Sequence, residues 1–140
     1  VMPPVFWQDF LAMTSIEQPI ALFFVLLKTY KILFDFHVNV TIRRWNSVAK
    51  SVNNDDILME FNEISARDAF VDSWSEATKN KVISAYLSIL RKIGMLNRAY
   101  QLQVPHCTNY PYYLQIGEPW FLEACLLQPY QIEKIKNSLA

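Results

Sequence analysis

Glycine, histidine and cysteine are scarce in this chain, with two of each in 140 residues. Two glycines cannot build a phosphate-cradling glycine loop, and they argue against a glycine-rich all-β architecture. Cys107 and Cys125 make neither a disulfide framework nor a Cys-x-x-Cys pair, which points to a reducing cytoplasm. His37 and His106 have no carboxylate or cysteine at metal-site spacing. No metal and no cofactor is therefore expected. His106 beside Cys107 is the sole nucleophile and base pair to weigh, and adjacent side chains diverge in direction, so the chain is read as a non-enzyme. Net charge is missing as well. Thirteen Lys and Arg balance thirteen Asp and Glu, and this gives no bulk attraction to nucleic acid or anionic membrane. The longest apolar run, Ala21 to Leu27, is cut by Lys28 and Lys31 far short of the roughly 20 residues that a membrane span needs.

What is present is apolar and patterned for helix. Hydrophobic residues make up 52% of the chain, enough for one compact domain that folds without staples. Met2-Pro-Pro leads into a short helix over Val5 to Met13, with Phe6, Trp7, Phe10 and Met13 as core. Ser15 and Gln18 form a capping box for a central helix from Ile16 to about Tyr30. Lys31 to Ala49 continues as helix after a kink near Lys31 to Phe34, although the β-branched Val38, Val40, Thr41 and Ile42 leave a strand open. Arg43 and Arg44 are either complements of a helix C-terminus or auxiliary phosphate contacts. Asn54 or Asp55 then caps a helix from Asp56 to about Ala66.

The most explicit element is Ser73 to Leu96. Ser73 and Glu76 read as a capping box, Gly94 as the stop, and Arg91 and Lys92 as cations in the last turn. At 100° per residue, Val82, Ile83, Tyr86, Leu87, Ile89, Leu90 and Ile93 share one side. Ala77, Asn80, Lys81, Ser84, Ser88, Arg91 and Lys92 share an arc of about 120° that holds small, polar and basic groups and no acid. This is either an ordinary solvated face or a surface for a phosphate backbone or groove.

At Trp74-Ser-Glu-Ala-Thr-Lys-Asn-Lys-Val82, running on to Leu90-Arg-Lys-Ile-Gly-Met-Leu96, the chain resembles the BrxA family, small accessory proteins of BREX phage-defence systems. The run Ile20 to Phe36, ending in Asp35-Phe36, is similar to the leucine-rich helix of that family. The resemblance covers roughly residues 1–97. Members are usually longer at the N-terminus, so this chain corresponds to one with the first helical portion absent. The resemblance implies a helical fold with winged-helix-like elements, affinity for double-stranded DNA and other BREX proteins as partners.

Charge changes sign at this helix. From Asp55 to Glu76 seven acids face Arg67 alone, and from there to Glu118 only Lys79, Lys81, Arg91, Lys92 and Arg98 are charged. The candidate DNA contacts are therefore Lys81 and Arg91 on phosphate, Asn80, Ser84 and Ser88 in the groove, and Lys92 and Arg98 flanking. Asp56, Glu60 and Glu63 are candidates for a protein partner. After Gly94, Tyr100, Leu102 and Val104 alternate, as do Tyr110, Tyr112, Leu114 and Ile116, and this predicts a β-hairpin placed as a wing. Its tyrosines, Tyr113 included, either stack on bases or pack on the long helix. Helices opening at Glu118-Pro-Trp120 and at Pro129 close the domain.

The expected architecture is mainly α, with core helices over 1–52, a helix-turn-helix or winged-helix-like unit with a hairpin over 53–117, and closing helices over 118–140. The expected function is DNA binding in the cytoplasm. The alternatives are a scaffold for other defence proteins without DNA contact, and an RNA-binding protein of the antitermination kind.

Overall fold

In the computed structural model, which describes residues 2–139, the chain is mainly helical. Helix α1 spans Pro4–Leu11, with Pro4 at the first position, where its missing N–H has no helical partner to lose. Helix α2, Glu17–Thr29, buries Ile20, Ala21, Phe23, Phe24 and Leu27. Its entry is held by Thr14 and Glu17, each backbone N–H donating to the other's side chain at 3.0 and 3.2 Å. This box lies one residue before the expected Ser15–Gln18 pair. The Gln18 amide instead donates to the Phe10 carbonyl and ties α2 to α1.

The chain kinks at Tyr30, whose backbone is extended, and continues as α3 (Lys31–Phe36), a π-helical segment (His37–Ile42) and α4 (Arg43–Trp45). The β-branched run that left a strand open is the π segment. Crowding of branched side chains against the preceding turn disfavours a regular α-helix, and the wider turn relieves it. Helix α5, Asn54–Arg67, is capped by Asn53, which exchanges hydrogen bonds with Asp56. Then follow α6 (Ala69–Asp72), α7 (Glu76–Lys92), α8 (Tyr110–Gln115), α9 (Trp120–Ala124) and α10 (Pro129–Ser138). Helix α5 packs on α3, the π segment and α7, while α8, α9 and α10 pack on one another and α9 reaches the π segment.

The hairpin expected over 100–116 does not form. Among the described residues there is no strand, only isolated bridges joining Ser51 to Gln101 and Leu96 to Leu102. Residues 110–116 are apolar at nearly every position, so alternation cannot separate strand from helix there, and Pro111 in the first turn favours helix α8. Tyr113 is buried, and the Tyr110 and Tyr112 hydroxyls donate to the Pro105 carbonyl and to Asp9. The winged-helix-like unit is thereby corrected. Among the described residues no wing follows α7, and α6 interrupts the two-helix unit expected over 56–92.

Aromatic residues, 14% of the chain, are numerous enough to run through the whole core as contacting rings. The path leads from Phe6 through Phe24, Phe121, Phe23, His37, Tyr86, Phe36 and Phe61 to Trp74, with centroids 5.0–6.1 Å apart. Rings at such spacing add attraction beyond their buried area. At the centre, His37 is 1% exposed. Its Nε2–H donates to the Ala124 carbonyl at 2.6 Å, so the neutral ring accepts at Nδ1 from the Tyr86 hydroxyl at 2.7 Å. Thr41 then donates to the Tyr86 oxygen at 2.6 Å. One network thus joins the π segment, α7 and α9.

Candidate nucleic-acid interface

Helix α7 begins two residues later than Ser73 predicts. Ser75 is the cap, accepting from the Thr78 N–H at 3.1 Å, while the Ser73 hydroxyl donates to the Phe70 carbonyl. Both serines carry the side chain a cap needs; the packing of Trp74 edge-on against Phe61 and Phe70 accompanies the later start. The C-terminus is as expected. Gly94 has φ +81°, its N–H donates to the Arg91 carbonyl and the Met95 N–H donates to Leu90, with Leu90 and Met95 buried together. A Cβ at Gly94 would meet no atom within 4 Å, so Gly94→Ala tests the backbone conformation alone. It is expected to cost about 1 kcal/mol and to lower the thermal midpoint by roughly 3 °C.

The inner face of α7 is Ile83, Tyr86, Leu87 and Leu90, all buried, with Ile93 just beyond and Val82 and Ile89 half-buried. Asn80, Lys81, Ser84, Ser88, Arg91 and Lys92 are all exposed on the outer face, and Arg98 is exposed beyond it. Among the described residues no carboxylate lies within 4 Å of Lys81, Arg91, Lys92 or Arg98, since the ion pairs join Lys28 to Glu118, Lys31 to Asp35 and Arg44 to Asp56. Lys79 does not share this face. It is 6% exposed, with Nζ 5.8 Å from the centre of the Phe61 ring.

Two of the four acids of α5 are engaged elsewhere. Asp56 pairs with Arg44 at 2.5 Å and caps Asn53, and Glu60 accepts from Asn39 at 2.8 Å. Arg44 therefore pairs with a carboxylate while standing, with Arg43, in the last turn of α4, as expected of helix-end complements. Asp56, Glu60 and Glu63 line one mixed-charge groove with Arg43, Arg44 and Arg67, beside the π segment. Cys107 donates to Asn109, and burial pushes its pKa up, as it does for Cys125.

Past Gly94, Asn97 to Tyr100 forms a turn closed by the Tyr100 N–H on the Asn97 carbonyl, while Asn97 Oδ1 accepts from Ala99 and Gln101. Arg98 sits inside this turn. The Tyr100 ring lies under the Arg91 guanidinium, 4.9 Å from centroid to Cζ. Lys50 is brought alongside because Val52 N–H donates to the Tyr100 carbonyl and Leu102 N–H to that of Lys50. Lys50 and Tyr100 both have left-handed backbones, φ +46° and +61°, a conformation that costs a non-glycine residue about 1–2 kcal/mol. Lys50 and Tyr100 are the members of this surface that reading the sequence missed. Asn97 marks the turn, but no local signal pairs it with residue 50.

No curated protein and no solved structure matches the chain. The BrxA family model matches residues 1–110, from α1 through α7 and the turn at Arg98 to the first residue of α8. With most of its length so matched, and with the Trp74 to Leu96 segment forming the capped central helix of that match, the chain belongs to the BrxA family.

Proposed function

We propose that this protein is a non-enzymatic accessory component of a BREX phage-defence system, acting in the cytoplasm, that binds double-stranded DNA through the outer face of α7. The observation that carries the reading is the exposed, acid-free face on which Lys81 and Arg91 stand at opposite ends of a row of small polar side chains. Ten residues of helix separate the two cations, about 15 Å. The major groove is about 12 Å wide, so the pair suits phosphates on its two rims, with Ser84 and Ser88 facing the base edges between them and Asn80 reaching a base edge just before Lys81. Lys92 and Arg98 extend the positive charge, and no wing is required.

Lys81→Glu with Arg91→Glu is expected to weaken duplex binding at least tenfold and to reduce the salt slope by about 1.8, two phosphate contacts at about 0.9 each. A salt titration by fluorescence anisotropy reads both. Wild-type affinity and slope in the double variant would end the assignment, and tighter binding to RNA in competition would move it to an RNA-binding protein.

A scaffold role has one observation in its favour. Phe70 is 72% exposed on α6, beside the carboxylates of Asp68 and Asp72. That reading predicts nuclease-resistant capture of other BREX proteins with no duplex mobility shift.

A further inference from the structure

We infer that Lys50 and Arg98, at the corner where Tyr100 seats Arg91, make a second contact to the phosphate backbone of the duplex, beyond the C-terminal end of α7. The inference rests on the duplex-binding reading of α7. The corner is a tertiary construction: the pairing of residues 50–52 with 100–102 sets a cation from the end of the first helices beside two from α7 and its following turn. Among the described residues none of the three cations has a carboxylate within 4 Å.

The backbone conformations carry the argument further. Among the described residues three non-glycine ones have positive φ: Lys50, Tyr100 and Leu126. Leu126 is 1% exposed, and burial of its side chain accounts for keeping it. Burial does not account for Lys50, and it accounts only in part for Tyr100. Lys50 is exposed and Tyr100 is 37% exposed, yet glycine would adopt either conformation freely. Each side chain instead fixes a cation in place. The Lys50 ammonium lies 4.2 Å from the centre of the Trp45 ring and donates to the Trp45 carbonyl, which leaves other N–H groups for a ligand. Tyr100 holds the Arg91 guanidinium flat against its ring, so that the N–H edge remains available to a phosphate. Arg98 is carried by the turn that Asn97 locks. Cations held in position without acid partners suit a phosphodiester backbone. Lys50 and Arg98 are contacts, and Tyr100 is a positioning residue that acts through Arg91.

The test is a salt titration of a labelled duplex against wild type, Lys50→Gly, Tyr100→Gly and Tyr100→Phe, with Lys81→Glu as reference and a thermal melt of each. Lys50→Gly is expected to melt at the wild-type temperature or about 2–4 °C above it, whereas Tyr100→Gly also loses a partly buried ring and melts lower. Both are expected to bind at least about threefold more weakly, and Lys50→Gly to lose about 0.9 from the salt slope. Tyr100→Phe keeps the ring and should bind as wild type. If the glycine variants bind like wild type while Lys81→Glu is impaired, the corner is refuted and the α7 reading stands. If wild type itself does not bind the duplex, the α7 reading fails first. A Lys50→Gly variant that melts below wild type would show that this side chain is kept for stability, and equal loss of binding in Tyr100→Phe would show that the ring does not position Arg91; either result overturns the inference.

Discussion

Lowering the pH from 7 to 4 is expected to remove about 3 kcal/mol of folding stability through His37 alone. Burial between Phe23, Tyr86 and the Ala124 carbonyl lowers the pKa of this imidazole from 6.5 to about 4, against the smaller opposing effect of the hydrogen bond to Ala124. Below pH 6.5 the unfolded chain takes up a proton at His37 that the folded chain refuses. Stability is therefore complete above the unfolded pKa and falls with pH until the folded pKa is reached. About 2 kcal/mol of the loss is expected by pH 5. The carboxyls of Glu17 and Glu118, both held below their usual pKa, add losses below about pH 4.5 and so are separable from the histidine. Urea unfolding at stepwise pH measures the slope, and His37→Gln should flatten it between pH 6.5 and 5 whatever its own stability. A flat wild-type profile over that interval would sink the assignment.

Phe24→Ala is expected to be the most damaging single truncation, at about 3–5 kcal/mol. The Phe24 side chain is fully buried and its ring contacts Phe6, Tyr113, Trp120 and Phe121 at centroid separations of 5.1–5.8 Å. It thereby joins α1, α2, α8 and α9. Four rings cannot close over the space one ring leaves, so a cavity term adds to the lost transfer energy. A domain of this size has about 5–15 kcal/mol in total, and the variant would lose a large share of it. Phe24→Leu keeps most of the volume and should lose less than half as much. Urea midpoints of the two variants give the comparison, and a loss below 1 kcal/mol for Phe24→Ala would show that the aromatic path is not cooperative.

Several elements were legible because their signals are local. The 3.6-residue period of Val82 to Ile93 identified the buried side of α7, and Gly94 its end. The exposed side was equally plain, since Asn80, Lys81, Ser84, Ser88, Arg91 and Lys92 follow from the same period. Caps were legible only to within one or two residues. Ser73 and Ser75, or Thr14 and Ser15, offer the same oxygen, and contacts such as Gln18 with Phe10 accompany the choice between them. The segment 110–116 failed for a different reason. A run of apolar residues has no period to read, and Tyr113 turns inward because α9 presents Phe121 to it.

Helix content, one apolar core and the acid-free face of α7 follow from side-chain spacing and helix-end chemistry, which act between residues a few positions apart. The burial of Lys79, the pairing of Asp56 with Arg44 and the seating of Arg91 on Tyr100 beside Lys50 required the assembled fold. Each depends on contact between segments that neither period nor cap connects, and on which of several equivalent polar partners packing brings within a few ångströms.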